Sequence, residues 1–118
     1  MKLQSNFTTP EQSKLLLELG VPADSADCYN TIKHTGKIPA DATYKDVWQM
    51  STWRDENGNH IEMYPSWSVG RLMEIFAICF DPDFIHFDTY ADGINFLKQM
   101  IDKFETYAKI MDFSKLYE

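Results

Sequence analysis

Cysteine is nearly absent from this chain of 118 residues: Cys28 and Cys79 are its only two, too few for a disulfide framework. Cys79 falls on an apolar helical stripe, where a buried free thiol is the expected state. Long hydrophobic runs are also missing. No stretch reaches the ~20 apolar residues needed to cross a bilayer, and Met1 to Asn6 lacks the apolar core of a signal peptide. A cytoplasmic protein without membrane contact is the expectation. Basic residues are scarce, with 11 Lys and Arg against 18 Asp and Glu, a net charge of −7. The imbalance grows along the chain: residues 1–60 carry 6 basic against 8 acidic residues, and residues 61–118 carry 5 against 10. Such a surface repels phosphate backbones and anionic lipid, so direct nucleic-acid binding is disfavoured. No catalytic motif, phosphate loop or zinc pattern stands out, and there is no repeat, linker or low-complexity segment.

What is present is core-forming material. Apolar residues make up 44% and aromatic residues 14% of the sequence, which argues against disorder. A chain of this length buries about two-thirds of its unfolded surface, so residues 1–118 are expected to form one domain without a structural metal. Thr8-Thr9-Pro10-Glu11-Gln12 is a helix start, with Thr9 as N-cap, Pro10 at N1 and Gln12 at N3 as in a capping box. Leu15, Leu16 and Leu19 give its apolar face, and Gly20-Val21-Pro22 ends it. Cys28 to Ile32 reads as a short strand, His34 to Asp41 as loop, and Thr43 to Trp48 as either one helical turn or the start of a strand. Pro65 ends an extended segment, Ser66 is the expected N-cap of a central helix to about Phe80, and Val69, Leu72, Met73, Phe76, Cys79 and Phe80 share one face. Asp81-Pro82-Asp83 reads as a turn, and Phe84 to Phe87 as a short strand or apolar loop. A last helix, capped by Asp88 or Thr89, is expected to run to Met111. Tyr90, Ile94, Leu97, Ile101, Phe104, Ala108 and Met111 lie in heptad spacing along it, and Gly93 is a point at which it would be shortened.

Asn57-Gly58 is the clearest turn signal, since both central positions of a type I′ turn need φ > 0. It predicts a hairpin of Met50–Glu56 with Asn59–Tyr64, opposing Asp55 to His60, Arg54 to Ile61, Trp53 to Glu62 and Thr52 to Met63. Thr52, Ile61 and Met63 then share the inner face, and Trp53 and Tyr64 the other. The expected fold is α+β: a small antiparallel sheet of two or three strands, with its hairpin at 57–58, packed against about three helices.

Three stretches resemble a known family. They are Thr8-Thr9-Pro10-Glu11-Gln12-Ser13 with Leu16 to Tyr29, then Pro65-x-Trp67-Ser68-Val69-Gly70-Arg71-Leu72, then Asp112-Phe113-Ser114-Lys115-Leu116. Together they are similar to small proteins of no established activity encoded in gut Bacteroidales genomes, often in prophage or mobile-element settings. The match leaves residues 30–63 uncovered. Asn30 stands where family members often have a second tyrosine, and Ser66 where they often have cysteine. The resemblance implies an accessory protein and supplies no mechanism.

Candidate chemistry is sparse. Asp55 facing His60 resembles a carboxylate-oriented imidazole, although a surface ion pair is the commoner outcome at a hairpin tip. With Arg71 these residues define one alternative, a small hydrolase or ligand-binding enzyme. Asp81, Asp83, His86 and Asp88 gather four possible metal ligands, but turn and cap chemistry explains them and the spacing does not fit an EF-hand, so neither metal nor cofactor is expected. Cys28 with His34, His60 or His86 would make a thiolate–imidazole pair, with no local signature for it. Arg71 has Trp67 for stacking and Glu74 for an i,i+3 pair, both structural, or a bidentate anion to bind. Tyr44, Trp48, Trp53, Tyr64 and Trp67 crowd the middle of the chain, as core or as a recognition surface. The leading expectation is a non-enzymatic module that binds a protein partner or itself, using Trp48, Trp53, Tyr64, Trp67 and Arg71 or the heptad face of the last helix. A further alternative is an acidic mimic of nucleic acid, which needs the carboxylates of residues 81–118 on one face.

Overall fold

Capping residues decide where the first helix begins and ends. In the computed structural model, which describes residues 7–34, 52–84, 86 and 95–118, helix α1 spans Pro10–Glu18. The Thr9 hydroxyl accepts the Gln12 amide at 3.2 Å, and the Gln12 side chain accepts the Thr9 amide at 3.0 Å, closing the capping box. At the other end Gly20 takes φ +99°, its amide donates to the Leu17 carbonyl and the Val21 amide donates to that of Leu16. This is a Schellman motif, with Val21 folded into the core beside Leu16. The left-handed backbone favours glycine here; a Cβ at this position would meet Phe113 at 3.6 Å, an ordinary van der Waals contact.

A 3₁₀ turn at Ala23–Ser25 leads into β1 (Cys28–His34), two residues longer than expected. Strands β2 (Thr52–Arg54) and β3 (His60–Ser66) complete an antiparallel sheet in the order β1-β3-β2. The turn at Asn57-Gly58 is present, but the register differs by one residue: Arg54 pairs with His60, Trp53 with Ile61 and Thr52 with Glu62. Asp55 is the cause. Its amide donates to the Asn59 carbonyl, its carbonyl accepts the Gly58 amide, and its Oδ1 accepts the amides of Asn57 at 2.9 Å and Asn59 at 2.8 Å. The loop therefore holds three residues, with Gly58 alone at φ +80° supplying the left-handed position of a G1 bulge. A one-residue slip exchanges the faces of a strand. Glu62, Tyr64 and Ser66 lie on the face shared with Cys28, Asn30 and Ile32, and all three are buried.

Ser66 is the last residue of β3, and the cap of the next helix is Ser68, two residues later. Pro65 continues the strand because β2 covers only His60–Glu62, so its missing N–H faces no neighbour. Helix α2 (Val69–Cys79) starts with the Ser68 hydroxyl accepting the Arg71 amide at 3.1 Å, and buries Leu72, Ile75, Phe76 and Cys79. A 3₁₀ turn follows at Pro82–Phe84, with the Asp81 carboxylate accepting the Asp83 amide at 2.9 Å. Helix α3 is shorter than the heptads suggested: it spans Phe96–Tyr107, opened by Asn95 accepting the Lys98 amide at 3.0 Å. Trp48, Thr43, Asp88, Thr89, Tyr90 and Ile94 lie outside the described residues. Two further 3₁₀ turns, Ala108–Ile110 and Phe113–Tyr117, carry the chain back over α2.

The core joins all three helices with Trp67 and Met111. Phe76 meets Phe104 and Tyr107 edge-on, and Phe80 stacks on Tyr107 at 5.1 Å, so aromatic contacts fix α2 against α3. The heptad face of α3 is thus used internally, with Leu97, Ile101 and Phe104 buried.

Candidate functional site

Side chains of the N-terminal segment and of Ser66 to Arg71 converge on one junction. Thr8 crosses the exit of β3: its amide donates to the Trp67 carbonyl, its hydroxyl accepts the Trp67 amide at 3.0 Å and its carbonyl accepts the Ser66 hydroxyl at 3.0 Å. Ser13 of α1 joins the Thr8 hydroxyl at 2.8 Å. The Trp67 indole donates to the Ser25 hydroxyl at 3.0 Å, which donates in turn to the Pro22 carbonyl at 2.6 Å. Arg71 Nε donates to the Ser25 carbonyl at 2.7 Å, and its guanidinium pairs with Glu74. Asp27 takes the Ser68 amide and hydroxyl, placing its negative charge at the N-terminus of α2. Every buried side-chain donor and acceptor among the described residues is satisfied, as a low-dielectric network requires. These side chains tie α1, the 23–25 turn, β3 and α2 together.

That junction relocates two expected binding residues. Trp67 is 0% exposed and belongs to the core, and Tyr64 at 7% lies on the covered face of the sheet, where burial raises its phenol pKa. Neither offers a surface. Arg71 is committed to Ser25 and Glu74. Trp53 lies in β2 opposite Ile61, and Trp48 is outside the described residues.

Asp55, His60 and Arg71 do not meet. The Asp55 carboxylate holds the hairpin loop and lies 3.8 Å from the Lys33 ammonium; the Asn59 amide, first among its causes, lowers its pKa. His60 starts β3, whereas Arg71 follows its far end, roughly 20 Å away along a seven-residue strand. Cys28 and His34 likewise close opposite ends of β1. Burial, first of all, raises the Cys79 thiol pKa, so that side chain is an inert core residue.

The pairing that spacing did not reveal is Glu62 with His34. Glu62 is 0% exposed, and its Oε2 lies 2.5 Å from His34 Nε2, with the His60 ring tilted against His34 at 5.9 Å. The pairing of β1 with β3, which the sequence pattern does not foretell, produces this cluster by setting Glu62 opposite Ile32 and His60 opposite His34. Among the described residues no group of three or more His, Cys, Asp or Glu is placed to hold a metal ion. Acidic residues alternate with lysines here: Lys98, Asp102 and Glu105 of α3 and Lys109 of the turn after it are exposed without forming a field of one sign.

The other feature is the outer edge of β1. The ladder alternates, and counting from the Asp55 amide bonded to the Asn59 carbonyl, the backbone groups of His60, Glu62, Tyr64 and Ser66 point toward β1. Their partners Cys28, Asn30, Ile32 and His34 face inward, which leaves the N–H and C=O of Tyr29, Thr31 and Lys33 pointing away from the sheet. Among the described residues β1 has no second strand neighbour. The side chains of Tyr29, Thr31 and Lys33 are exposed, Tyr29 by 50%.

No protein-family model, curated protein or solved structure matches the chain. No helix among the described residues is long and apolar enough to cross a membrane.

Proposed function

We propose that this protein is a non-enzymatic binding module that engages a protein partner through the open edge of β1. The observation that carries it is the row of outward-pointing backbone groups at Tyr29, Thr31 and Lys33, which no second strand pairs among the described residues and of which the Tyr29 carbonyl accepts only the Cys28 thiol at 3.7 Å. Such an edge templates the addition of a strand, with main-chain bonds giving affinity and alternate side chains giving specificity. Binding of this kind needs none of the catalytic constellations that the fold keeps apart. The resemblance to mobile-element proteins favours an accessory role in a bacterial cytoplasm.

Tagged protein captures its partner from a bacterial lysate, and Thr31→Pro removes the capture. The proline deletes an outward N–H while leaving the β1–β3 ladder intact, as edge strands allow. Equal recovery of the same partner by wild type and by folded Thr31→Pro overturns the assignment.

A further inference from the structure

We infer that the strand accepted at this edge is β1 of a second copy, antiparallel about a two-fold axis through Thr31. The inference rests on the edge proposed above and names its occupant. Centring the pair on Thr31 sets Thr31 against Thr31 of the second copy and Tyr29 against its Lys33, and the reciprocal pair follows from the symmetry. The outward groups of β1 belong to those three residues, so each outward N–H meets an outward C=O, the Lys33 amide of the second copy taking the Tyr29 carbonyl that the Cys28 thiol reaches at 3.7 Å. The exposed side chains complement each other in the same register. Thr–Thr is a favourable cross-strand pair, and a lysine ammonium over a tyrosine ring gains from the ring quadrupole.

Charge selects the same partner. A chain of net charge −7 repels its own copies over most of its surface, but Cys28–His34 contains no carboxylate. Lys33 is its one lysine, and Asp55 lies beside it at 3.8 Å. In the paired register the two Lys33 residues stand four positions apart, roughly 13 Å, beyond the Debye length of about 8 Å at physiological salt. Pairing along β1 therefore sets no carboxylate of one strand against a carboxylate of the other. A contact confined to one strand edge is at the small end of specific interfaces, so the pairing is reversible and concentration-dependent.

Light scattering on the full chain, from low micromolar to near millimolar, tests this together with two variants. Wild type is expected to rise from monomer to twice that mass, and Thr31→Pro to remain monomeric with an unchanged circular dichroism spectrum. Thr31→Cys should form a disulfide-linked dimer under mild oxidation, because directly paired Cα atoms are about 5.5 Å apart. Wild type should not, since Cys28 faces His34 of the second copy and the two Cys28 residues are roughly 20 Å apart. A wild type monomeric throughout, a folded Thr31→Pro that still dimerises, or a Thr31→Cys that does not cross-link each overturns the inference. If Thr31→Pro does not fold, the cross-link alone decides. A monomeric wild type that still loses a captured partner on Thr31→Pro substitution overturns the second copy and keeps the binding edge.

Discussion

Thr8 has a single hydroxyl group and uses it twice, accepting the Trp67 amide and meeting Ser13 in a site almost without solvent. Thr8→Val keeps the shape and strands the Trp67 amide, so we expect a loss of about 1–3 kcal/mol in urea unfolding. Glu62 is the harder case. Glu62→Ala breaks a buried pair with His34 and is expected to destabilise by about 3 kcal/mol, with a double-mutant cycle against His34→Ala giving coupling of about 0.5–3 kcal/mol. Additive single losses would show that the pair is not energetically linked. Asp55 gives a pH dependence. Its folded-state pKa is lowered from 3.8, so its contribution is complete above that pH and is lost as pH falls through the lowered value. Asp55→Asn should accordingly flatten the fall in stability below about pH 4, measured by denaturant unfolding at each pH. Of these three residues the sequence displayed only Asp55 as a candidate, and with the wrong partner. Nothing in local spacing marks Glu62 as buried, because its partner His34 comes from β1, a strand distant in sequence that pairs beside it.

Secondary structure was legible wherever one residue type satisfies one geometric need. Thr9, Pro10, Gln12 and Gly20 fixed both ends of α1 because each position admits few residues. The hairpin at 57–58 was equally visible, but its register was not. Asn57-Gly58 suits a two-residue turn in isolation, and the competing signal was Asp55, whose carboxylate reaches both Asn57 and Asn59 and enlarges the loop by one residue. Ser66 and Ser68 posed the same ambiguity at α2: both are serines after a proline, and Asp27, more than forty residues earlier, selects the second. Ser68→Ala should lower stability by about 1 kcal/mol through loss of the cap, whereas Ser66→Ala loses the buried bond to the Thr8 carbonyl and leaves α2 capped; amide protection at Arg71 in the two variants separates these roles. The strand β1 offers a sharper contrast. Thr31→Pro should leave the fold intact, but Ile32→Pro removes an inward N–H from the ladder to β3 and should collapse the sheet, read as loss of amide protection at His60–Ser66.

At the scale of the whole molecule, the helices close a core of their own and the sheet stands beside it, joined through Trp67 and the contacts of α1 with β3. Thr8, Ser25, Asp27, Trp67 and Arg71 meet at that joint, so stretches far apart in sequence specify a single place. What surface remains after the joint and the core are built was the least legible part. An open strand edge is a property of what does not pair, and composition carries no sign of it. Pro65 adds a last consequence. On the far side of the sheet β2 has three residues, Arg54 is exposed, and beyond them the proline offers no donor. A sheet open on both sides would recruit copies without limit and end as a fibre. In the proposed pairing, recruitment along the described strands has one direction only and the two-fold contact uses it up, so growth is expected to end at a closed pair however concentrated the protein becomes.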